Sequence, residues 1–376
     1  MKLESKSVGK VALIHDWLTG MRGGEKVLEA FCELFPDADI FTLVHRRGSM
    51  SPIIARHRIF ESPVAKIPRG REYYKKLLPL FPWAIESFDL KGYDLILSSS
   101  SAVAKGIIPP PDALHVSYLH SPMRYIWDMR SDYIGPTKLG SISRFAAGWV
   151  AHYLRNWDVN SSARVDKFVA NSSHVRSRIK KYYHRSAEVI YPPVDLKKFT
   201  LGKGNGGYFL VVSALVPYKR VDLAVAACIK LGLKLKVVGD GEELPHLRDF
   251  AGDKVEFLGF QDAKSLSELY QNATALIHPA EEDFGIAPVE AQAAGRPVIA
   301  YNRGGARETV IIDGKDSTGF LFSHQTVESL EDALRRFDPA QFDSNIIRRN
   351  SLRFGRERFL DEIRNFVTSS WLEANN

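Results

Sequence analysis

From residue 11 to residue 322 the chain alternates short β-branched or apolar runs with other stretches, many of helical period. Strands are predicted over 11–14, 40–44, 94–98, 115–119, 167–170 and 187–190, and again over 208–213, 233–238, 255–258, 275–278, 297–300 and 319–322. Helical patterns separate or follow the second six, near 219–231, 242–251, 263–272, 287–294 and 326–336. Strands alternating with helices pair in parallel, with helices covering both faces of the sheet. One hydrophobic core seldom serves 376 residues, so two such arrays predict an α/β protein of two Rossmann-like domains. Hydrophobic residues make up 45% of the chain, enough for two cores.

The expected domains are 1–190 and 208–345, joined by a linker over 191–207. Tyr191-Pro192-Pro193-Val194-Asp195 and the glycine-rich 201–207 read as a hinge, because proline cannot continue a strand ladder. The segment 346–376 is expected to hold a helix packing across the domains, with Leu352, Phe359, Ile363 and Phe366 near helical spacing.

Charge and cysteines narrow the class. Residues 1–190 carry 28 Lys and Arg against 18 Asp and Glu, whereas 191–376 carry 23 against 26. A basic first half points to an anionic partner. The basic stretches lack a helix-turn-helix, zinc-finger or RNP pattern, so nucleic acid is not expected. Cys32 and Cys228 have no CxxC or His partner and read as reduced, buried thiols. No run of about 18 apolar residues spans a membrane. Lys2, Lys6 and Lys10 precede too short an apolar run for a signal peptide, so a cytoplasmic location is expected.

Several unusual residues fall at strand carboxyl ends, where open parallel sheets bind ligands. Lys219 and Arg220 stand at the N-terminus of the 219–231 helix, where the macrodipole disfavours cations unless an anion shares the site. Gly23-Gly24 precede an amphipathic helix and allow close backbone approach, although a plain turn serves equally well. They form neither G-x-G-x-x-G nor a Walker loop. Glu281, Glu282 and Asp283 follow the 275–278 strand; Pro288 suits the next helix start and Gly295 its end, which places Glu290 in the first turn. A carboxylate there suits a ribose diol, and Glu282 suits other hydroxyls; a helix-dipole acid and a surface acid are the plainer readings. His120 ends a strand and is either a substrate contact or a structural histidine. Asp37-Ala38-Asp39 resembles a D-x-D motif but reads as a turn.

Together these residues carry a resemblance to the GT-B-fold retaining glycosyltransferases of family 4, over nearly the whole chain. The E-x7-E motif is Glu282 to Glu290, supported by Gly23-Gly24, Asn171-Ser172-Ser173, 189–195, Val238-Gly239-Asp240-Gly241, and Gly304-Gly305 with Glu308. The stretches 118–128 and 216–222 resemble the WbaZ-like mannosyltransferases of bacterial surface-polysaccharide synthesis. The resemblance implies two domains facing a central cleft and a GDP-mannose donor, with no cofactor and no metal. It implies that Glu290 holds ribose and that Glu282, with backbone of Phe284, Gly285, Ile286 and Ala287, holds the donor sugar. Lys219 and the Gly23-Gly24 loop would hold the diphosphate, and His120 would meet the sugar near the reacting carbon. Gly259 and Phe260 would meet the base, with Lys264 a candidate guanine contact. Ala214 stands where the family often has arginine, and Arg220 is the expected substitute.

The acceptor is expected on the first domain. Arg56-His57-Arg58 and 66–83, with Arg69, Arg71, Tyr73, Tyr74, Lys75 and Lys76, mix basic and aromatic residues, and Arg124 joins them. This composition suits an anionic membrane surface bearing a lipid-linked oligosaccharide, although an ordinary solvated basic helix also accounts for it. The alternatives are a UDP-sugar donor, a sugar-nucleotide epimerase or hydrolase of the same fold, and a non-catalytic nucleotide-binding module.

Overall fold

The computed structural model describes residues 8–128 and 141–375, and the side chains within 141–146 are not described. Lys2 and Lys6, weighed above against a signal peptide, lie outside the described residues. The chain divides into two compact units, Met1–Pro193 with Glu357–Asn376, and Val194–Arg356.

The first unit holds a seven-stranded sheet in the order β3-β2-β1-β4-β5-β6-β7. Its strands are β1 (Val11–His15), β2 (Asp39–Thr42), β3 (Ile59–Glu61), β4 (Leu95–Ser100), β5 (Leu114–Leu119), β6 (Lys167–Ala170) and β7 (Glu188–Val189), all paired in parallel. The main helices are α1 (Gly23–Leu34), α2 (Phe81–Glu86), α3 (Ser141–Ser161) and α4 (Ser173–Tyr183). Strand periodicity of two, with both faces covered, explains why β1 is buried throughout and apolar from Val11 to Ile14. Val11 and Leu13 enter one core with Phe31, while Ala12 and Ile14 enter the opposite core with Phe81 and Leu154.

The second unit holds a six-stranded sheet in the order β10-β9-β8-β11-β12-β13. Its elements run β8 (Phe209–Val212), α5 (Val221–Leu231), β9 (Leu235–Val238), α6 (Leu244–Phe250), β10 (Val255–Gly259), α7 (Ala263–Asn272), β11 (Ala275–His278), α8 (Ile286–Ala293), β12 (Val298–Tyr301), β13 (Gly319–Phe322), α9 (Val327–Arg336) and α10 (Ser344–Ser351). All neighbouring strands are parallel. The crossovers that parallel pairing demands are the helices the sequence pattern marked. This is the doubly wound α/β architecture expected, twice over.

Three expectations need correction. The glycine run is not a free linker: a Cβ on Gly202 would sit 2.0 Å from the Gln271 carbonyl oxygen, and one on Gly206 would sit 2.8 Å from that of Asn272. These glycines lie where α7 ends and leave no room for a side chain. Residues 346–355 belong to the second unit, through α10 and the turn after it, rather than to a terminal helix. That helix, α11 (Arg356–Asn375), starts later than the spacing suggested; Leu352 is exposed, while Phe359, Ile363 and Val367 pack into the first unit beside Phe31 and Tyr118.

Candidate functional site

In the first unit the carboxyl ends of β1, β4 and β5 meet the start of α1. The α1 capping box pairs the Arg22 amide with Glu25 Oε2 at 2.9 Å. Gly24 in the first turn faces two imidazoles: a Cβ there would lie 3.4 Å from His15 Cε1 and 3.6 Å from His120 Nε2. His120 follows β5 as expected, is half-buried, and its Nε2 lies 2.8 Å from Ser99 Oγ on β4. His15 is buried at the end of β1, with Nε2 3.8 Å from Glu25 Oε1. Burial pushes the Glu25 carboxyl up, but the hydrogen bond and charge of His15 and the backbone N–H groups at the helix start outweigh it, and the net effect is downward.

Asp16 organises this edge. Its carboxylate accepts from the amides of Ser101, Ala102, Val103 and Ala104 at 2.6–2.9 Å. The turn after β4 is thereby fixed beside the His120 side chain's own partner strand. Sequence reasoning singled out Gly23, Gly24 and His120 but missed His15, Asp16, Glu25 and Ser99. The signal available was His15-Asp16 directly at a predicted strand end, a polar pair where the apolar run stops.

In the second unit the carboxyl ends of β8, β10 and β11 carry the expected donor residues. Lys219 lies in the turn before α5 and donates to Glu282 Oε1 at 2.5 Å. Glu282 follows β11, and its backbone carbonyl accepts from the Gly305 amide at 2.8 Å. Gly304 has φ +63°, and a Cβ on it would lie 2.1 Å from the Glu282 carbonyl oxygen, so the two loops touch through backbone. Gly285 adopts φ +87° and starts α8, where the amides of Ile286 and Ala287 occupy the first turn.

Glu290 falls in the second turn of α8, not the first, because the helix opens at Ile286, two residues before Pro288. It is half-buried and accepts from the Tyr270 hydroxyl at 3.0 Å. Burial lifts its carboxyl above the usual carboxylate range, opposed by the Tyr270 hydrogen bond and the charge of Lys198. Tyr270 was missed, being twenty residues away on α7. Gly259 turns the chain at φ +64°, and Phe260, which follows, is 86% exposed among the described residues. Lys264 is exposed in the first turn of α7. Arg220 stands at the N-cap position of α5 at φ 51°, and its guanidinium pairs with Asp222 at 3.1 Å. Ala214 is exposed in the loop after β8.

The expected acceptor surface is only partly a surface. Tyr74 is buried in the core with Trp17 and Phe81. Arg71 pairs with Glu61 at 2.6 Å and Arg69 with Glu72 at 2.9 Å and the Tyr73 hydroxyl at 2.6 Å. His57 is buried against the Ala38 carbonyl at 2.8 Å, so only Arg56 and Arg58 of that trio face solvent. Arg124 is half-buried in the turn after β5. Lys75, Lys76, Tyr73, Leu80 and Trp83 are exposed, as are Trp149 and Tyr153 on α3. Among the described residues no helix is long and apolar enough to cross a membrane. Asp39 opens β2 rather than a metal loop, and accepts from the Tyr93 hydroxyl at 2.5 Å. Burial pushes the thiols of Cys32 and Cys228 up to about 12, as inert core cysteines require.

Comparison with known proteins finds a family for each part of the chain in turn. Residues 21–198 match the family described as Glycosyltransferase Family 4, and residues 195–345 match Glycosyl transferases group 1. The chain carries one domain of each of these two families. Its fold is GT-B. An uncharacterized glycosyltransferase of Methanocaldococcus jannaschii is 29% identical over 154 residues, 40% of this chain and 43% of that protein. The mouse alpha-1,3/1,6-mannosyltransferase ALG2 is 25% identical over 227 residues, 50% of this chain and 52% of that protein. The chain thus spans about half the length of the curated relatives it matches. The crystal structure of Anabaena HepE in complex with UDP superposes with a TM-score of 0.66 at 18% identity, covering 96% of this chain and 100% of that one.

Proposed function

We propose that the protein is a retaining α-mannosyltransferase that uses GDP-mannose and acts on a lipid-linked glycan in surface-polysaccharide synthesis. The observation that carries the reaction class is the cluster of Lys219, Glu282 and Glu290 around the mouth of β11 and the start of α8. Lys219 and the amides of the α8 first turn supply positive potential for a departing diphosphate. Glu290, held by Tyr270, accepts from the ribose hydroxyls, and Glu282 accepts from the sugar. Neither carboxylate is then available as a nucleophile, unlike the flanking acids of most glycosidases. The exposed Phe260 ring is the stacking surface for the base. His120 and the α1 start with Gly23-Gly24 are assigned to the sugar and the diphosphate. The leaving diphosphate takes the acceptor proton, and the charge it develops is met by Lys219 and helix termini without a metal ion.

The likeness to ALG2 supports mannose as the sugar. A UDP-sugar donor is the second reading, favoured by the likeness to HepE, whose structure contains UDP. Isothermal titration with GDP-mannose, UDP-glucose and UDP-GlcNAc separates the two; absence of GDP-mannose binding overturns the mannose assignment. Incubation of the purified protein with lipid-linked oligosaccharides and the same donors then tests transfer. Turnover of the free donor without acceptor favours an epimerase or hydrolase instead. The exposed Lys75, Lys76, Tyr73, Leu80 and Trp83 support peripheral attachment to an anionic membrane on its cytoplasmic face.

A further inference from the structure

The outer end of the first sheet carries a groove to which no role has been given. His57, Ile59 and Glu61 alternate along and just before β3, so their side chains share one face. With the loop over 45–50 and the short helix Pro52–Ala55 they line a cavity of about 370 Å³, in the range of small-ligand sites. Strand register fixes its place. His15 pairs with Thr42 and Thr42 with Glu61, so His15 and Glu61 stand level, two strands or about 10 Å apart. They also share a face. His15 continues the alternation of Val11 and Leu13, which enter the core beside α1, and Glu61 continues that of Ile59, which packs against the same core. The groove therefore reaches the same edge and face of the sheet as His15 and the α1 start.

The lining favours a neutral polyol. Glu61 is held in place: Oε1 accepts from the His45 amide at 2.8 Å and from Arg71 Nε at 2.9 Å, and Oε2 accepts from Arg71 Nη2 at 2.6 Å. A carboxylate has about four acceptor positions, so one on Oε2 is left for an O–H donor. His57 is buried, with Nδ1 2.8 Å from the Ala38 carbonyl and Nε2 without a hydrogen-bond partner among the described residues. Leaving such an atom unmet is costly, and a hydroxyl serves it either as donor or as acceptor. Arg47, exposed in the loop, supplies donors, while Met50, Ala55 and Ile59 supply apolar wall. A hexose ring matches both, with hydroxyls around its rim and C–H groups on its faces. A phosphate or carboxylate only accepts, and would meet the charge of Glu61. Burial holds the His45 ring below its ordinary range, opposed by Glu61 and helped by Arg47 and Arg71, so it adds no cation for an anion. We infer that this groove binds one hexose unit of the acceptor glycan, set back from the reacting sugar along the carboxyl edge of the sheet. That the hexose belongs to an acceptor rests on the glycosyltransferase reading proposed above; that the groove takes a hexose rests on its lining alone.

The test reads sugar binding and transfer separately. Protein with isotope-labelled histidine rings is titrated with the methyl α-glycosides of mannose, glucose and galactose and, in a separate sample, with inorganic phosphate. The His45 and His57 ring signals are assigned by substitution. At least one glycoside is expected to shift both signals, saturating with a Kd of about 1–10 mM, while phosphate leaves them in place. Ala55 is exposed and lines the groove, so Ala55→Trp puts an indole there without replacing a buried side chain. This variant is expected to melt like wild type and to lose the glycoside shifts. With lipid-linked oligosaccharides its acceptor KM is expected to rise at least about tenfold, with kcat and the calorimetric affinity for the nucleotide sugar within about twofold of wild type. Should the indole lower the melting temperature, Arg47→Ala carries the same comparison, with glycoside affinity expected to fall about fivefold. Signals that move with no glycoside, that move with phosphate alone, or that move as much in the variants overturn the hexose site. Glycoside binding with an unchanged acceptor KM in the variants overturns the acceptor assignment. If wild type transfers sugar to no acceptor, the glycosyltransferase reading fails and that assignment falls with it, whatever the spectra show.

Discussion

At the level of single residues, glycines separate folding from ligand approach. A Cβ on Gly305 would sit 2.2 Å from the Phe284 carbonyl oxygen, so Gly305→Ala must push apart two backbone segments. Gly24 has no neighbour nearer than 3.4 Å to its Cβ position, so Gly24→Ala fits the fold. The expected outcome is a loss of about 1–3 kcal/mol of stability for Gly305→Ala, read by urea denaturation. Gly24→Ala is expected to unfold like wild type but to lose at least about tenfold in turnover, because the methyl stands between the helix start and the two imidazoles. Both positions were legible as glycine pairs in the sequence. Which pair guards a fold contact and which an approach was not, because that depends on His120, 96 positions from Gly24, and on Phe284, 21 positions from Gly305. Glu290 shows the same limit: its place in the motif was readable, but the Tyr270 hydroxyl that holds it belongs to another helix.

At the level of elements, strand-to-helix alternation was readable because each crossover helix must bury an apolar stripe against its sheet. The edge strand β3 was not, since three residues are too few to show a period. Nor was the hub at Asp16, where one carboxylate satisfies four amides of the turn after β4. Asp16→Ala orphans those donors, most of them buried, and each unsatisfied group costs about 1–3 kcal/mol. The first unit is therefore expected to lose most of its stability, with a fall in melting temperature of about 10 °C or more. The turn beyond it is held by a second device. Lys105 and Asp158 are both fully buried and 3.0 Å apart, tying the end of that turn to α3. Lys105→Met leaves the Asp158 carboxyl, among the described residues, the hydroxyl of Tyr183 and the indole N–H of Trp127 as donors, and is expected to cost about 3–5 kcal/mol in the same denaturation assay.

At the level of the whole molecule, the basic first half and the near-neutral second half were legible from composition alone, but how many of those charges remain free was not. Arg69 and Arg71 spend theirs on Glu72 and Glu61, which leaves the exposed Lys75 and Lys76, with Trp83, as the group proposed above to meet a membrane. Replacing Lys75 and Lys76 with Glu is expected to abolish sedimentation with phosphatidylserine vesicles while leaving nucleotide binding unchanged. Acid sets the other limit. His115 is fully buried on β5, with Nδ1 3.1 Å from the Arg164 carbonyl and Nε2 2.9 Å from Ser98 Oγ. The carbonyl can only accept, so Nδ1–H donates to it and Nε2 accepts from the serine in the neutral ring. Burial lowers the ring to about 4 from the ordinary 6.5. Above 6.5 neither folded nor unfolded chain binds this proton, and His115 gives no pH dependence. Below 6.5 the unfolded chain binds it and the folded chain does not, so stability falls with pH until the folded ring also titrates near 4. The cumulative loss is about 3 kcal/mol from this residue. Urea midpoints of wild type and His115→Gln across pH 7 to 4 check it: the wild-type curve is expected to fall more steeply, and parallel curves would show that the buried ring is protonated as readily as a free one.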